Sequence, residues 1–173
     1  LKRVGADVDN KVELPYYMGS QNKIKDSESE ITKYKKKYQG PYLISDKLDG
    51  VSGMFVYDGD NIKLYTRGNG REGQDISHLH KYISGFPKIK KQDKLAVRGE
   101  FIISKNNWDI LKNQDDTLSN PRNTVSGAIN SKILNKQLLK MIDFVAYTLV
   151  YPNLPNGLPE LDKMKFNVVN NNV

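Results

Sequence analysis

The sequence predicts an α+β domain in which antiparallel sheets are flanked by helices. Three observations carry this. Val51–Tyr57 and Ile62–Thr66 are β-prone runs joined by Asp58-Gly59-Asp60-Asn61, a hairpin turn signal. Leu95–Ile103 and Ile142–Tyr151 are longer apolar runs of strand length. Ser27 and Ser104 each open a segment whose apolar residues recur at helical spacing. At 173 residues the chain suits one domain with a real core, and no internal repeat or second domain is visible.

Composition narrows the function classes. The net charge of +7 points to an acidic partner, nucleic acid before an anionic membrane, although a lysine-rich surface from an AT-rich genome gives the same balance. The absence of cysteine excludes disulfides and thiolate metal sites within this chain. No apolar run approaches the ~20 residues of a membrane span. The first residues, Leu1-Lys2-Arg3-Val4-Gly5, carry no signal-peptide core and no starting methionine, so the chain reads as an internal piece of a longer protein.

In chain order, residues 1–12 show no clear period and read as a tail or linker. Residues 14–23 mix apolar and turn-forming side chains, with Pro15 and Gly19 favouring a structured loop. Ser27 and Glu30 form a capping-box pair, after which Ile31, Tyr34 and Tyr38 share one helix face. Lys33, Lys35, Lys36 and Lys37 make the rest of that helix basic, which fits a solvated face better than a nucleic-acid contact.

Pro41-Tyr42-Leu43-Ile44 reads as a strand that ends at Ser45-Asp46-Lys47-Leu48-Asp49-Gly50, the stretch around which the chain is organised. In an extended chain, positions i and i+2 share a face, so Lys47 and Asp49 project together. An ordinary surface ion pair has the same composition. Lysine as a nucleophile attacks a carbonyl to give a Schiff base, or an activated phosphate to give a phosphoramidate. Free lysine, with a pKa near ~10.4, needs burial or a neighbouring cation to do either at neutral pH.

After the hairpin, Gly68, Gly70 and Gly73 spell G-x-G-x-x-G. The dinucleotide-binding fingerprint of that form needs a parallel βαβ unit, and the preceding strand here belongs to an antiparallel hairpin, so that reading is rejected. What remains is a glycine-rich turn whose backbone amides, with Arg67 and Arg71, can hold a phosphate. Residues 75–83 are compatible with a helix. His78 and His80 have no carboxylate neighbours at ligand spacing and read as surface or packing residues.

In residues 95–103, Ala96, Arg98, Glu100 and Ile102 share one face. Charges inside a strand this apolar must be paired or functional. Glu100 is a candidate for a metal or a ribose hydroxyl; an Arg98–Glu100 pair is the plainer alternative. Trp108 and Leu111 lie on the core face of the helix that Ser104 opens. Asn120-Pro121-Arg122-Asn123 precedes a helix-compatible run of small residues, and Ile133, Leu134, Leu138 and Leu139 are expected on one apolar face. Residues 152–159 read as a loop, followed by a short helix with Leu161 and Met164 and a last edge segment.

Five stretches together resemble the adenylation domain of NAD-dependent DNA ligases. Lys47-Leu48-Asp49-Gly50 resembles the K-x-D-G motif shared with ATP-dependent ligases and capping enzymes. Thr66-Arg67-Gly68-Asn69-Gly70-Arg71-Glu72-Gly73-Gln74-Asp75 resembles the T-R-G-D-G-x-x-G-E-D run of the NAD-dependent branch. Val97-Arg98-Gly99-Glu100 resembles V-R-G-E, and Asn120-Pro121-Arg122-Asn123 with Ser126-Gly127 resembles N-P-R-N-x-A-A-G. Residues 15–23 resemble the segment bordering the adenine pocket. The order and spacing match from about residue 13 to the end.

The resemblance implies a nucleotidyltransferase (ATP-grasp-like) core spanning residues 1–173 as a single, incomplete adenylation domain. It implies that Lys47 takes AMP from NAD as a phosphoramidate and passes it to the 5′-phosphate of nicked duplex DNA. It assigns Asp49 to positioning Lys47 and a transient Mg²⁺ near Asp49 and Glu100, with no stable metal ligands. Arg67 and Glu100 would contact the ribose side of the nucleotide, Ser20, Gln21 and Ser45 would border the base, and Arg122 and Arg71 would meet phosphate or DNA. A monomer working inside the cell is expected.

The chain also departs from the pattern. Ser45 stands where glutamate is usual, Asn69 replaces aspartate, Gln74 replaces glutamate, and Asn130 occupies a position where arginine is common. The D-G-V-V-I-K segment and a later lysine motif do not occur, nor do the nicotinamide-mononucleotide-binding, OB-fold and zinc modules, so this polypeptide alone is not expected to seal a nick. An ATP-dependent or RNA-ligase-like enzyme is the nearer alternative, opposed by residues 66–75. A non-catalytic nucleotide- or DNA-binding module on the same scaffold is the other, supported by Ser45 and Asn130.

Overall fold

Alternating side chains and strong turns produce one four-stranded antiparallel sheet. The computed structural model describes residues 11–20, 22–88, 94–155 and 157–172. Its strands are β1 (Lys11–Glu13), β2 (Ile44–Ser45), β3 (Val51–Tyr57), β4 (Ile62–Thr66), β5 (Glu72–Gln74), β6 (Leu95–Ile103), β7 (Ile142–Tyr151) and β8 (Asn171–Asn172). The helices are α1 (Glu28–Lys37), α2 (Lys105–Gln114), α3 (Pro121–Asn130), α4 (Lys136–Leu139) and α5 (Gly157–Lys163), with a 3₁₀ turn at Ser77–Leu79.

The main sheet runs β4-β3-β6-β7, and β1–β5 and β2–β8 form two small antiparallel pairs. β3 and β4 form the expected hairpin, whose turn is held by Asp58 accepting from the backbone N–H groups of Asp60 and Asn61. β6 lies between β3 and β7, with Ser52 opposite Glu100 and Gly53 opposite Gly99.

The two faces of this sheet differ. Phe55, Tyr57, Val97, Phe101 and Phe144 belong to the main core. There Phe101 packs on Phe144 at 5.2 Å between centroids, and Phe144 on Phe86 at 5.0 Å. Leu158, Leu161 and Phe166 close the same core from α5 and the chain after it. The opposite face carries Glu100 and Ser52 at one end, with Arg98 opposite Met54 further along. A smaller cluster of Leu14, Met18 and Met54 covers the other. One sheet thus has a dry side and a polar side.

The helix starts follow the expected chemistry. Ser27, Ser104 and Asn120 each accept a hydrogen bond from the backbone N–H three residues on. At Ser27 the reciprocal half of the capping box is replaced, because Glu30 pairs with Lys33 at 3.1 Å.

Several expectations change. The tail does not extend through residue 12, since Lys11 and Val12 pair with Gln74 and Gly73. Residues 41–43 are not strand and Leu43 and Ile44 are exposed; among the described residues the short β2 pairs only with β8, and nothing covers Leu43 or Ile44. Within residues 75–83 only the 3₁₀ turn at Ser77–Leu79 forms in place of a helix, and Asp75 turns to accept from both the N–H and the hydroxyl of Ser77. Ile133 and Leu134 are exposed, and only the Leu138–Leu139 end of that run meets the core. α5 starts at Gly157, inside the expected loop. Ile31, Tyr34 and Tyr38 share a face of α1 as expected, but α1 contributes no buried residue and the tyrosines pack on one another and on Tyr42. No helix among the described residues is long and apolar enough to cross a membrane.

Candidate active site

The polar side of the sheet ends in a cleft of about 380 Å³. Its walls come from residues 47–52, the end of β4 with Arg67 and Gly68, Gln74 of β5, Glu100 of β6, and Arg122, Asn123, Ser126 and Asn130 of α3. Four of the five stretches that carry the ligase-like motifs therefore converge on one concavity, and residues 15–23 do not line it.

Residues 46–49 have no regular secondary structure; Leu48 packs toward the core while Lys47 and Asp49 are exposed. Both line the same cleft. The partner of Asp49 is not Lys47, however. Its Oδ1 accepts from Nη1 of Arg122 on α3 at 3.2 Å, an exposed ion pair across the cleft. Lys47 Nζ has no hydrogen-bonding partner among the described residues and lines the cleft. Gly50 is required here by contact: a Cβ at this position would run into the carbonyl oxygen of Phe101 on β6.

Glu100 is the one acidic side chain buried among the described residues, at 9% exposure. The Ser52 hydroxyl donates to its Oε2 at 2.9 Å. Burial holds its carboxyl above the ordinary carboxylate range, opposed by the Ser52 hydroxyl, the charge of Lys47, the Gly50 N–H and the charge of Arg122. The alternative Arg98–Glu100 pair does not form. Arg98 instead donates to the carbonyl of Gly19 at 3.1 Å and lies over the Tyr147 ring.

The glycine-rich turn is rigid for local reasons. Gly68 and Gly70 have φ of +53° and +96°, where a side chain is strained. Asn69 Oδ1 accepts from the backbone N–H groups of Arg71 and Glu72, at 2.9 and 2.8 Å. An aspartate at this position makes the same two bonds, so the departure at Asn69 preserves the turn. The turn also holds residues 14–20: Leu14 and Met18 donate to the carbonyls of Arg71 and Gly70, and Arg67 donates to the Ser20 hydroxyl at 3.2 Å.

Of the expected site residues, Lys47, Asp49, Arg67, Glu100 and Arg122 line the cleft. Ser20 is tied to it through Arg67. Ser45 lies outside its walls, in the β2–β8 pair. Arg71 also lies outside, with its guanidinium against the Tyr17 ring at 5.5 Å. Gln21 falls outside the described residues. Sequence reasoning missed Ser52, Asn123 and Ser126 as wall residues. The signal for Ser126 and Asn130 was the i, i+4, i+8 spacing from Arg122, which puts all three along one face of α3. For Ser52 it was strand periodicity from Gly50.

The donor set at the cleft fits a transient hard cation. Among the described residues no three carboxylate, histidine or cysteine side chains cluster. Mg²⁺ characteristically takes one or two protein carboxylates and completes its shell with phosphate and water. Asp49 and Glu100 at the same cleft provide that number.

Comparison with known proteins agrees with the geometry. A "DNA ligase" of Acanthamoeba polyphaga mimivirus is 42% identical over 157 residues, covering 87% of this chain and 24% of that protein. A "Putative DNA ligase 205R" of Invertebrate iridescent virus 6 is 38% identical over 144 residues, 82% of this chain and 23% of that protein. A "DNA ligase" of Wolbachia pipientis wMel is 36% identical over 112 residues, 62% of this chain and 17% of that protein. The chain spans about a quarter of the length of the first two relatives. The model of the NAD-dependent DNA ligase adenylation domain matches residues 18–170, and with the converging cleft this establishes that the chain belongs to the NAD-dependent DNA ligase adenylation domain family.

Proposed function

We propose that the cleft binds the AMP half of NAD and that Lys47 is the group that becomes adenylylated, as the first step of sealing nicked duplex DNA. The observation that carries this reading is the convergence of Lys47, Arg67, Glu100 and Arg122 on one polar concavity. A lysine beside two arginines suits attack on an anionic phosphorus better than Schiff-base formation, because the guanidinium groups neutralise charge on phosphate oxygens.

The reaction is a balanced transfer. Lys47 Nζ, as the free amine, forms a P–N bond to the α-phosphorus. The P–O bond to nicotinamide mononucleotide breaks, that group leaves with the electron pair, and the amine releases a proton to solvent. The adenylyl group then moves to the 5′-phosphate of the nick, breaking the P–N bond. Attack by the 3′-hydroxyl seals the strand and releases AMP. Catalysis of this kind rests on positioning and charge neutralisation. Arg67 and Arg122 orient phosphate or ribose oxygens, and Glu100 accepts from a ribose hydroxyl. Asp49 and Glu100 would hold Mg²⁺, which when bound supplies further neutralisation at the phosphates. The protein acts as a monomer in a compartment that contains both NAD and DNA.

The test is the intact mass of the full-length polypeptide carrying this domain, before and after incubation with NAD and Mg²⁺, and separately with ATP. A gain of one adenylyl group from NAD, abolished in Lys47→Ala, is expected. A gain from ATP only, a gain that survives Lys47→Ala, or no gain from either nucleotide overturns the reading.

A further inference from the structure

The Ser52–Glu100 contact is the most constrained polar feature of the cleft. Glu100 lies on the central strand β6 and is nearly sealed from solvent, while the other acidic wall residue, Asp49, is exposed and already paired with Arg122. A carboxylate in that setting needs hydrogen bonds to hold its charge and its direction. Ser52 stands directly opposite on β3, so their Cβ atoms fall within the roughly 4.5–5.5 Å of a cross-strand pair. The serine hydroxyl reaches Oε2 at 2.9 Å. The Gly50 N–H supports the same carboxylate, and among the described residues no side chain donates to Oε1, which can therefore take a substrate donor.

We propose that Ser52 is a positioning residue for nucleotide binding: its hydroxyl fixes the Glu100 carboxylate so that one oxygen is presented to a ribose hydroxyl. The inference rests on the reading of the cleft as a nucleotide site. The backbone selects the residue type. A side chain one atom longer than alanine reaches Oε2 across the strand pair without displacing the glutamate. Threonine retains that oxygen and is well suited to a strand. Alanine leaves Oε2 buried with one donor fewer and lets the carboxyl rotate between orientations.

The experiment uses AMP as the probe in the Lys47→Ala background of the full-length polypeptide, so that binding is read without transfer. Calorimetry is expected to show S52A weakening AMP by about ten-fold, the loss of one hydrogen bond to a charged group. S52T is expected to restore binding to within about two-fold. In an E100Q background, S52A is expected to add little further loss, because Ser52 acts through Glu100. Full AMP affinity in S52A, failure of S52T to restore it when circular dichroism shows it folded, or fully additive losses for S52A and E100Q would each overturn the proposal. Retained adenylylation in Lys47→Ala would instead overturn the nucleophile assignment and leave this measurement standing.

Discussion

The Asp49–Arg122 pair gives a prediction in which stability and function separate. Its atoms are 3.2 Å apart, but the side chains are 78% and 62% exposed. Coulomb's law in water gives about 1.3 kcal/mol at that distance. Screening by salt and the entropy of holding two long side chains reduce the net value to roughly 0.2–1 kcal/mol. A double-mutant cycle of Asp49→Asn and Arg122→Gln, read by urea unfolding, is therefore expected to give a coupling below about 1 kcal/mol that shrinks as salt is raised. Both residues line the cleft. If Arg122 leaves Asp49 to meet phosphate, either single variant should reduce the rate of Lys47 adenylylation by at least about ten-fold, equivalent to one lost charge-assisted hydrogen bond. A coupling above about 2 kcal/mol, or adenylylation at the unmodified rate in Arg122→Gln, would refute this reasoning.

Three further outcomes follow from the structure. Burial among Phe55 and Phe86 holds His80 below the ordinary histidine range, and its buried Nε2 has no partner. The unfolded chain then binds the proton more readily, so stability falls as pH drops through the unfolded pKa near ~6.5; the melting temperature of His80→Phe should lose that dependence between about pH 7 and 5. Gly50→Ala drives a methyl into the Phe101 carbonyl and should lower stability by about 1–3 kcal/mol, a fall in melting temperature of roughly 3–10 °C. Asn69→Ala removes the acceptor for two backbone N–H groups and should cost about 1 kcal/mol in urea unfolding, whereas Asn69→Asp should stay within about 0.5 kcal/mol of the parent.

What could be read from the chain was local. β3 and β4 show in their β-prone runs and the Asp58–Asn61 turn, β6 and β7 in their apolar runs of strand length, and two helix starts in the capping serines Ser27 and Ser104. Elements that depend on distant partners were not visible. Lys11–Glu13 is strand only because Glu72–Gln74 returns alongside it. The apolar run at Leu43 and Ile44 reads as a strand, but hydrophobicity says nothing about whether a neighbour arrives to cover it. The site divides the same way. Lys47 and Asp49 are close in the chain and line one cleft, but the partner of Asp49 lies 73 residues away on α3. Glu100 was conspicuous as a charge within an apolar strand, whereas its donor Ser52 was an unremarkable small residue until β3 and β6 were placed in register.

The β3–β6 register also bears on how the protein reaches its working state. Val51 pairs with Phe101 and Ser52 with Glu100, so the cleft exists only after segments about fifty residues apart have joined. Pairings of such long sequence separation carry a loop-closure cost that is met before the contacts form, which slows folding. The cleft is accordingly absent until that ladder has formed. No partly folded form that lacks the β3–β6 ladder retains it. A nucleotide that binds there stabilises the complete fold alone, drawing the population away from partly open forms and shielding the chain from proteolysis in proportion to its concentration over its dissociation constant.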